Sequence, residues 1–167
     1  MRQRWNTLMF TAGLLLAGGV LTGPASAQLL AHKDLSLAAA LAIATGAADH
    51  CKAQGYHVSV AVVGREAQLI VQLRGDGSPP HSEENSYRRA YTALTYRRST
   101  LEVEKQMRAD PVDQHFQLSH VIAAQGGLPI VVDGDTIGAV AVSGAPGGEK
   151  DEACAKAGLD KAANLLK

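Results

Sequence analysis

The chain has 167 residues, with 16 basic and 16 acidic side chains, six histidines, two cysteines and 46% apolar residues. This balanced charge offers no stripe of cations to neutralise phosphates, which argues against a nucleic-acid partner. The apolar fraction is that of an ordinary globular domain with one core.

Residues 1–27 have the pattern of a secretory signal peptide. Arg2 and Arg4 give a basic start, Leu8 to Leu21 is apolar and uncharged, and Ala25-Ser26-Ala27 matches an A-x-A cleavage site. The apolar run is shorter than the roughly 20 residues that span a bilayer, so we expect cleavage and no membrane span. Cleavage leaves residues 28–167 as a single periplasmic or secreted domain, with net charge −2 because both leader arginines are lost.

The first half of this domain predicts a helix and a hairpin. Leu35 to Gln54 is rich in Ala and Leu and free of Pro, with Ser36 as N-cap and Gly55 as the stop. Two β-rich runs follow, Val58–Val63 and Gln68–Leu73, joined by a short turn. They predict an antiparallel hairpin.

The middle of the chain predicts two helices. Residues 75–80 combine two glycines with a proline pair, so the chain turns there, and a polar amphipathic helix follows over about Ser82–Tyr96. Ser99 and Glu102 have capping-box spacing, which predicts a short helix from about Thr100 that ends by Asp110. Residues 111–125 carry no clear pattern.

The last third predicts a second hairpin and a helix. Asp133-Gly134 lies between two β-branched runs, Leu128–Val132 and Thr136–Val142, which is typical of a type I′ turn. Asp151 and Glu152 then place acids at the start of a helix that runs to about Leu166. Helix, hairpin, helices, hairpin and helix in that order predict an α+β fold with helices covering an antiparallel sheet.

The two cysteines, Cys51 and Cys154, both survive cleavage and would meet oxidising conditions outside the cytoplasm. Their spacing alone does not decide between one disulfide and two separate buried thiols.

Histidine is the residue type most able to ligate a metal or haem iron here, and all six histidines lie in the mature part. No pair has a strong metal-site spacing. His81 stands out because Pro79-Pro80 holds it at a helix start, and Arg88, Arg89 and Tyr91 follow on that helix. An imidazole, guanidinium groups and an aromatic ring suit a flat anionic cofactor. The alternative is a helix face exposed to solvent, on which acidic side chains balance the positive charge.

Two glycine-rich loops complete the candidates. Gly126-Gly127 precedes a strand and lies near His120, which is a second candidate ligand. The loop at 144–148 lacks the Lys and Ser/Thr of a P-loop, and Ser143 is not in a Gly-x-Ser-x-Gly elbow. Turn formation is the simpler interpretation of the glycines at 144–148, and nothing indicates covalent catalysis.

Three segments together resemble the GlcG/HbpS-like haem-binding family: Val58–Val63, Arg88–Ala93, and Gly126–Ile130 continuing through Asp133-Gly134 to Asp151–Ala155. The resemblance covers nearly all of residues 34–167. Many members have Lys-Ala-Arg where this chain has Arg89-Ala90-Tyr91, and a small residue in place of His81. The two differences add a candidate iron ligand and an aromatic face.

The resemblance implies a profilin-like antiparallel sheet of about five strands, with the first and last helices on one face and the middle helices elsewhere. It also implies a Cys51–Cys154 disulfide, a homo-oligomer and haem handling in exported members. We therefore expect an exported protein that binds haem b or a related tetrapyrrole for uptake, storage or sensing, with a further envelope protein as a partner to test. The predicted haem site, with His81 as iron ligand, comprises His81, Arg88, Arg89, Tyr91, His120, Gly126 and Gly127. An enzyme that degrades haem or acts on a small anionic metabolite in the same cleft is the alternative.

Overall fold

The computed structural model describes residues 29–110 and 118–167, so the predicted signal peptide at 1–27 lies outside the described residues. The helices are α1 (Leu37–Ala53), α2 (His81–Tyr96), α3 (Thr100–Ala109) and α4 (Gly148–Ala162), and a short 3-10 turn (Ala163–Leu165) follows α4. The strands are β1 (Ser59–Gly64), β2 (Leu69–Arg74), β3 (Gly127–Val132) and β4 (Asp135–Ser143). The α+β class and the element order are as the sequence predicts.

Within the described residues the strands form one antiparallel sheet in the order β2-β1-β4-β3. The sheet has four strands, where about five were expected. The two hairpins meet through β1 and β4, whose register runs from Ser59 opposite Ser143 to Gly64 opposite Gly138. Two local hairpins joined along their inner strands therefore build the whole sheet.

The sheet separates two cores of different character. On one face, α1 and α4 pack side by side over branched residues such as Val60, Val62 and Val140. On the other face, α2 packs through Ala90 and Ala93 against a smaller cluster of mostly alanine side chains from β1 and β4. The first and last helices share one face and α2 lies on the other, as expected. Small side chains on the second face let α2 lie close to the sheet.

Local signals account for the element ends. The Ser36 hydroxyl caps α1 by accepting from the Ala39 amide, and Ser99 and Glu102 form the predicted capping box of α3. Asp133 and Gly134 both have positive φ, at 52° and 80°, as a type I′ turn requires. α4 begins at Gly148, three residues before the predicted start at Asp151.

A disulfide joins Cys51 of α1 to Cys154 of α4, with the two sulfurs buried between the helices. The bridge closes a sequence separation of 103 residues. It fixes the helix pair that covers one face of the sheet. Among the described residues, no helix is long and apolar enough to cross a membrane.

Candidate functional site

Three rings gather along one flank of α2, where Tyr87 also packs against the smaller core cluster. Tyr87 and Tyr91 stand one turn apart, and the His120 ring lies 5.8 Å from the first and 5.3 Å from the second, centroid to centroid. The tyrosine rings are half-buried and His120 is exposed. We call Tyr87, Arg88, Tyr91 and His120 the aromatic face of α2.

The chain segment that carries His120 is tied to α2 by two hydrogen bonds. Arg88 donates from Nη2 to the carbonyl of Val121 at 3.1 Å. The amide of Ile122 donates to the Thr92 hydroxyl at 2.9 Å, and that hydroxyl donates to the Arg88 carbonyl. These bonds fix the imidazole over the helix although residues 118–122 form no helix or strand.

Charge on the aromatic face is only partly compensated. Arg88 is half-buried, and its Nη1 lies 3.5 Å from Glu84, an exposed carboxylate one turn earlier. A partly exposed pair of this kind contributes little to stability, so its geometry can yield to a ligand. The contact with Glu84 agrees with the alternative of a charge-balanced helix face, yet each terminal nitrogen of Arg88 keeps one further N–H donor.

His81 is the first residue of α2, with Pro80 as the preceding cap residue. Its side chain is exposed and makes no hydrogen bond or ion pair with the described residues. Seven residues separate it from Arg88, so both lie on one side of the helix, about 10 Å apart along the axis. His81 therefore shares a surface with the aromatic face but stands apart from its rings.

Arg89 points to the opposite side of α2, toward α4. Its Nη1 donates to Asp151 Oδ2 and to the Val142 carbonyl, both at 2.7 Å. The side chains of Arg89 and Asp151 are 12% and 3% exposed. Burial raises the pKa of Asp151 above its ordinary value, although the Ala145 amide and Arg89 donate to the carboxylate and oppose the shift.

Gly126 and Gly127 belong with this buried pair. A Cβ at Gly126 would lie 2.8 Å from Nη1 of Arg89, and one at Gly127 would lie 2.7 Å from the Arg89 carbonyl. The Gly127 amide donates to the buried Thr100 hydroxyl at 2.9 Å. The glycines thus let the chain pass close to α2.

The predicted residues therefore fall into two groups. Arg88, Tyr91 and His120 come together on the aromatic face, whereas Arg89 pairs with the buried Asp151 and the two glycines, Gly126 and Gly127, lie against Arg89. Tyr87 was missed from the sequence, although its spacing of four from Tyr91 was the available signal. Asp151 was interpreted only as a helix-start acid, because no local pattern reveals a partner 62 residues away.

The aromatic face has the groups that a flat anionic ligand with a metal centre needs: a ring nitrogen, two aromatic surfaces and a guanidinium. Among the described residues, no group of three or more His, Cys, Asp or Glu side chains could hold a bare metal ion.

Comparisons with known proteins identify relatives of this chain. The family model described as "Haem degrading protein HbpS-like" matches residues 35–160. HbpS is 35% identical, over 80% of this chain and 93% of its own, with a TM-score of 0.76. Among curated protein sequences, none matches the chain.

Two further structures share the fold. ORFY of Klebsiella pneumoniae is 25% identical over 83% of this chain and 95% of its own, with a TM-score of 0.75. A haem complex of PduOC is 20% identical over 77% and 95% of the two chains, with a TM-score of 0.72, a likeness that concerns the fold alone.

Proposed function

We propose that the chain, which belongs to the HbpS-like family, is a haem-binding protein whose haem lies against the aromatic face of α2. The observation that carries the proposal is the exposed His120 ring beside Tyr87 and Tyr91, with the Arg88 guanidinium adjacent. Haem supplies an iron with an open axial position, two flat faces and two carboxylates. The aromatic face has a complementary group for each.

Each residue has a distinct role in this proposal. His120 is the first candidate for the axial nitrogen, because its ring already stands among aromatic neighbours and the backbone around it is anchored. His81, the ligand expected from the sequence, is the second candidate from the other end of the same surface. Arg88 pairs with a propionate, and the tyrosine rings pack on the porphyrin edge.

His81 and His120 of one chain stand too far apart to hold the same iron together, because the position of His81 and that of Tyr87, beside His120, differ by about 9 Å along the axis of α2. A homo-oligomer would supply the second ligand from another copy, and we include that assembly in the proposal. The haem would be haem b, since the chain has no Cys-x-x-Cys-His attachment motif.

We place the protein in the periplasm or outside the cell after cleavage near Ala27, where it would serve haem uptake, storage or sensing. The buried Cys51–Cys154 bridge supports this location, because disulfides persist in oxidising compartments. An envelope protein that receives haem from it is the partner we would look for.

The test is a haemin titration of mature protein, residues 28–167, followed at the Soret band. His120→Ala should shift the band and weaken binding about tenfold or more, whereas His81→Ala should change neither if His120 is the ligand. His50→Ala is the matched control, because His50 is exposed on α1 beneath the other face of the sheet. Unchanged spectra and affinities in both single variants and in the double variant would overturn the proposed site.

Haem degradation is the second candidate function, favoured by the description of the matching family. The assay adds a reductant or peroxide to the haem-loaded protein and follows loss of the Soret band with product analysis. Conversion faster than that of free haem, and lost in His120→Ala, would assign catalysis to this surface. Conversion at the rate of free haem would leave binding as the function.

A further inference from the structure

A pocket of about 400 Å³ lies on the α1 side of the sheet, away from the aromatic face. It is enclosed by the last turns of α1, the loop that leads into β1, and the end of β2. Its volume is in the range of small-molecule sites in proteins. The side chains that shape its floor and rim include Ala48, Lys52, Tyr56, His57, Val58 and Arg74.

The floor of the pocket is apolar. Ala48 and Tyr56 are partly buried and pack against the larger core, and Val58 is 4% exposed. The Lys150 ammonium stands 5.6 Å from the centre of the Tyr56 ring. An apolar ligand body would therefore rest on these side chains while a cation approaches from the side.

The rim of the pocket carries two cations, Lys52 and Arg74, and two carboxylates, Asp49 and Asp76. Lys52 is exposed and forms no ion pair with the described residues. The Arg74 guanidinium donates to the Ser78 carbonyl at 3.2 Å and to no carboxylate among those residues. The carboxylate of Asp49 lies 3.1 Å from the Lys161 ammonium. Of the two acids that line the pocket, only Asp76 therefore has no cationic partner among the described residues. The balance at the rim favours an anion.

The pocket walls are held in place before any ligand arrives. The Gly75 amide donates to the Val58 carbonyl at 2.9 Å, and His57 Nδ1 donates to the Asp76 carbonyl at 2.7 Å. The Tyr56 amide donates to the carbonyl of Cys51, whose sulfur is in the disulfide. A preformed site loses less entropy on binding than a mobile one.

We propose that this pocket binds a small organic monoanion with an aromatic or apolar body, whose carboxylate meets Lys52 and Arg74. The body lies on Ala48, Tyr56 and Val58. The pocket is separate from the aromatic face, because α1 and α2 cover opposite faces of the sheet. It would let a second, smaller ligand bind the same protein.

Sodium benzoate is the probe, added to ¹⁵N-labelled mature protein and followed by amide chemical shifts. We expect saturable shifts at Gly55, Tyr56, His57 and Gly75, with none at residues 118–122. Benzyl alcohol, which has the same ring without the charge, should bind about tenfold more weakly or worse.

Lys52→Met and Arg74→Lys test the rim. Lys52→Met should weaken benzoate about tenfold, and Arg74→Lys, which keeps the charge but loses the planar fork, should weaken it less. Lys105→Met on α3, which packs against α2 and β3, is the control and should bind as wild type. No saturable shift, equal binding of benzyl alcohol, or wild-type affinity in Lys52→Met would overturn the proposal.

Discussion

Replacing Arg89 with Met tests the division of the predicted residues into two groups. The substitution removes the guanidinium and keeps most of the stem volume. Asp151 and the carbonyl of Val142 then lose the donor that lies 2.7 Å from each, and both residues are buried. Arg89→Met should therefore act on stability rather than on haem binding.

The expected loss follows from the burial of the pair. Removing one partner of a buried ion pair costs about 3–5 kcal/mol, because the remaining charge is uncompensated. Burial already raises the pKa of Asp151, so the carboxyl can take up a proton, which puts the loss toward the lower end. For a domain with a free energy of unfolding of about 5–15 kcal/mol, this lowers Tm by roughly 10 °C.

The assay is urea denaturation followed by far-UV circular dichroism, with haemin titration of the same samples. Arg89→Met/Asp151→Leu, which removes both charges, should regain most of the lost free energy of unfolding. Folded Arg89→Met should keep haemin affinity within about threefold, whereas Arg88→Ala should lose about tenfold or more through the missing propionate contact. A loss below about 1 kcal/mol in Arg89→Met, or a tenfold loss of its haemin affinity, would refute this division.

Three more perturbations check other parts of the account. Cys51→Ala/Cys154→Ala should lose about 4–5 kcal/mol of unfolding free energy in urea, because the bridge spans 103 residues; a loss under about 1 kcal/mol would contradict the entropic reasoning. Burial raises the pKa of Glu152, so the folded protein binds a proton there more tightly than the unfolded chain does. The protein therefore loses stability as pH rises from the ordinary carboxyl pKa through the raised pKa. Urea curves of Glu152→Gln should thus show a gain over wild type that is larger at about pH 7 than at about pH 4, and an equal difference at both would disprove the shift. Gly126→Ala should lower Tm, because φ is +134° and the added Cβ would meet Nη1 of Arg89 at 2.8 Å; an unchanged Tm would show that the loop relaxes freely.

Local sequence signals predicted most of the fold. The Ser36 cap, the capping box of α3 and the Asp133-Gly134 turn each depend on neighbouring residues, and all three are present in the structure. The pairing of β1 with β4 was not predicted from the residues, because their partners are about 80 residues apart. The start of α4 was placed late because Gly148 and its neighbours look like loop residues in isolation.

The candidate site was predictable only in part, because its contacts join residues that are distant in the sequence. Adjacent residues such as Arg88 and Arg89 look equivalent in the sequence, yet a rotation of about 100° per residue sends them to different sides of α2. The one faces the Val121 carbonyl and the other faces Asp151. The placement of His120 over Tyr87 and Tyr91 depends on hydrogen bonds from a segment without regular structure, which no periodicity reveals.

The most direct test of the central claim is to map the porphyrin on the protein. Gallium(III) protoporphyrin IX is diamagnetic and can be titrated into ¹⁵N-labelled mature protein. We predict the largest amide shifts at residues 84–92 and 118–122, around Tyr87, Tyr91 and His120. Largest shifts instead on the α1 side of the sheet, around residues 48–58, would contradict haem binding on the aromatic face.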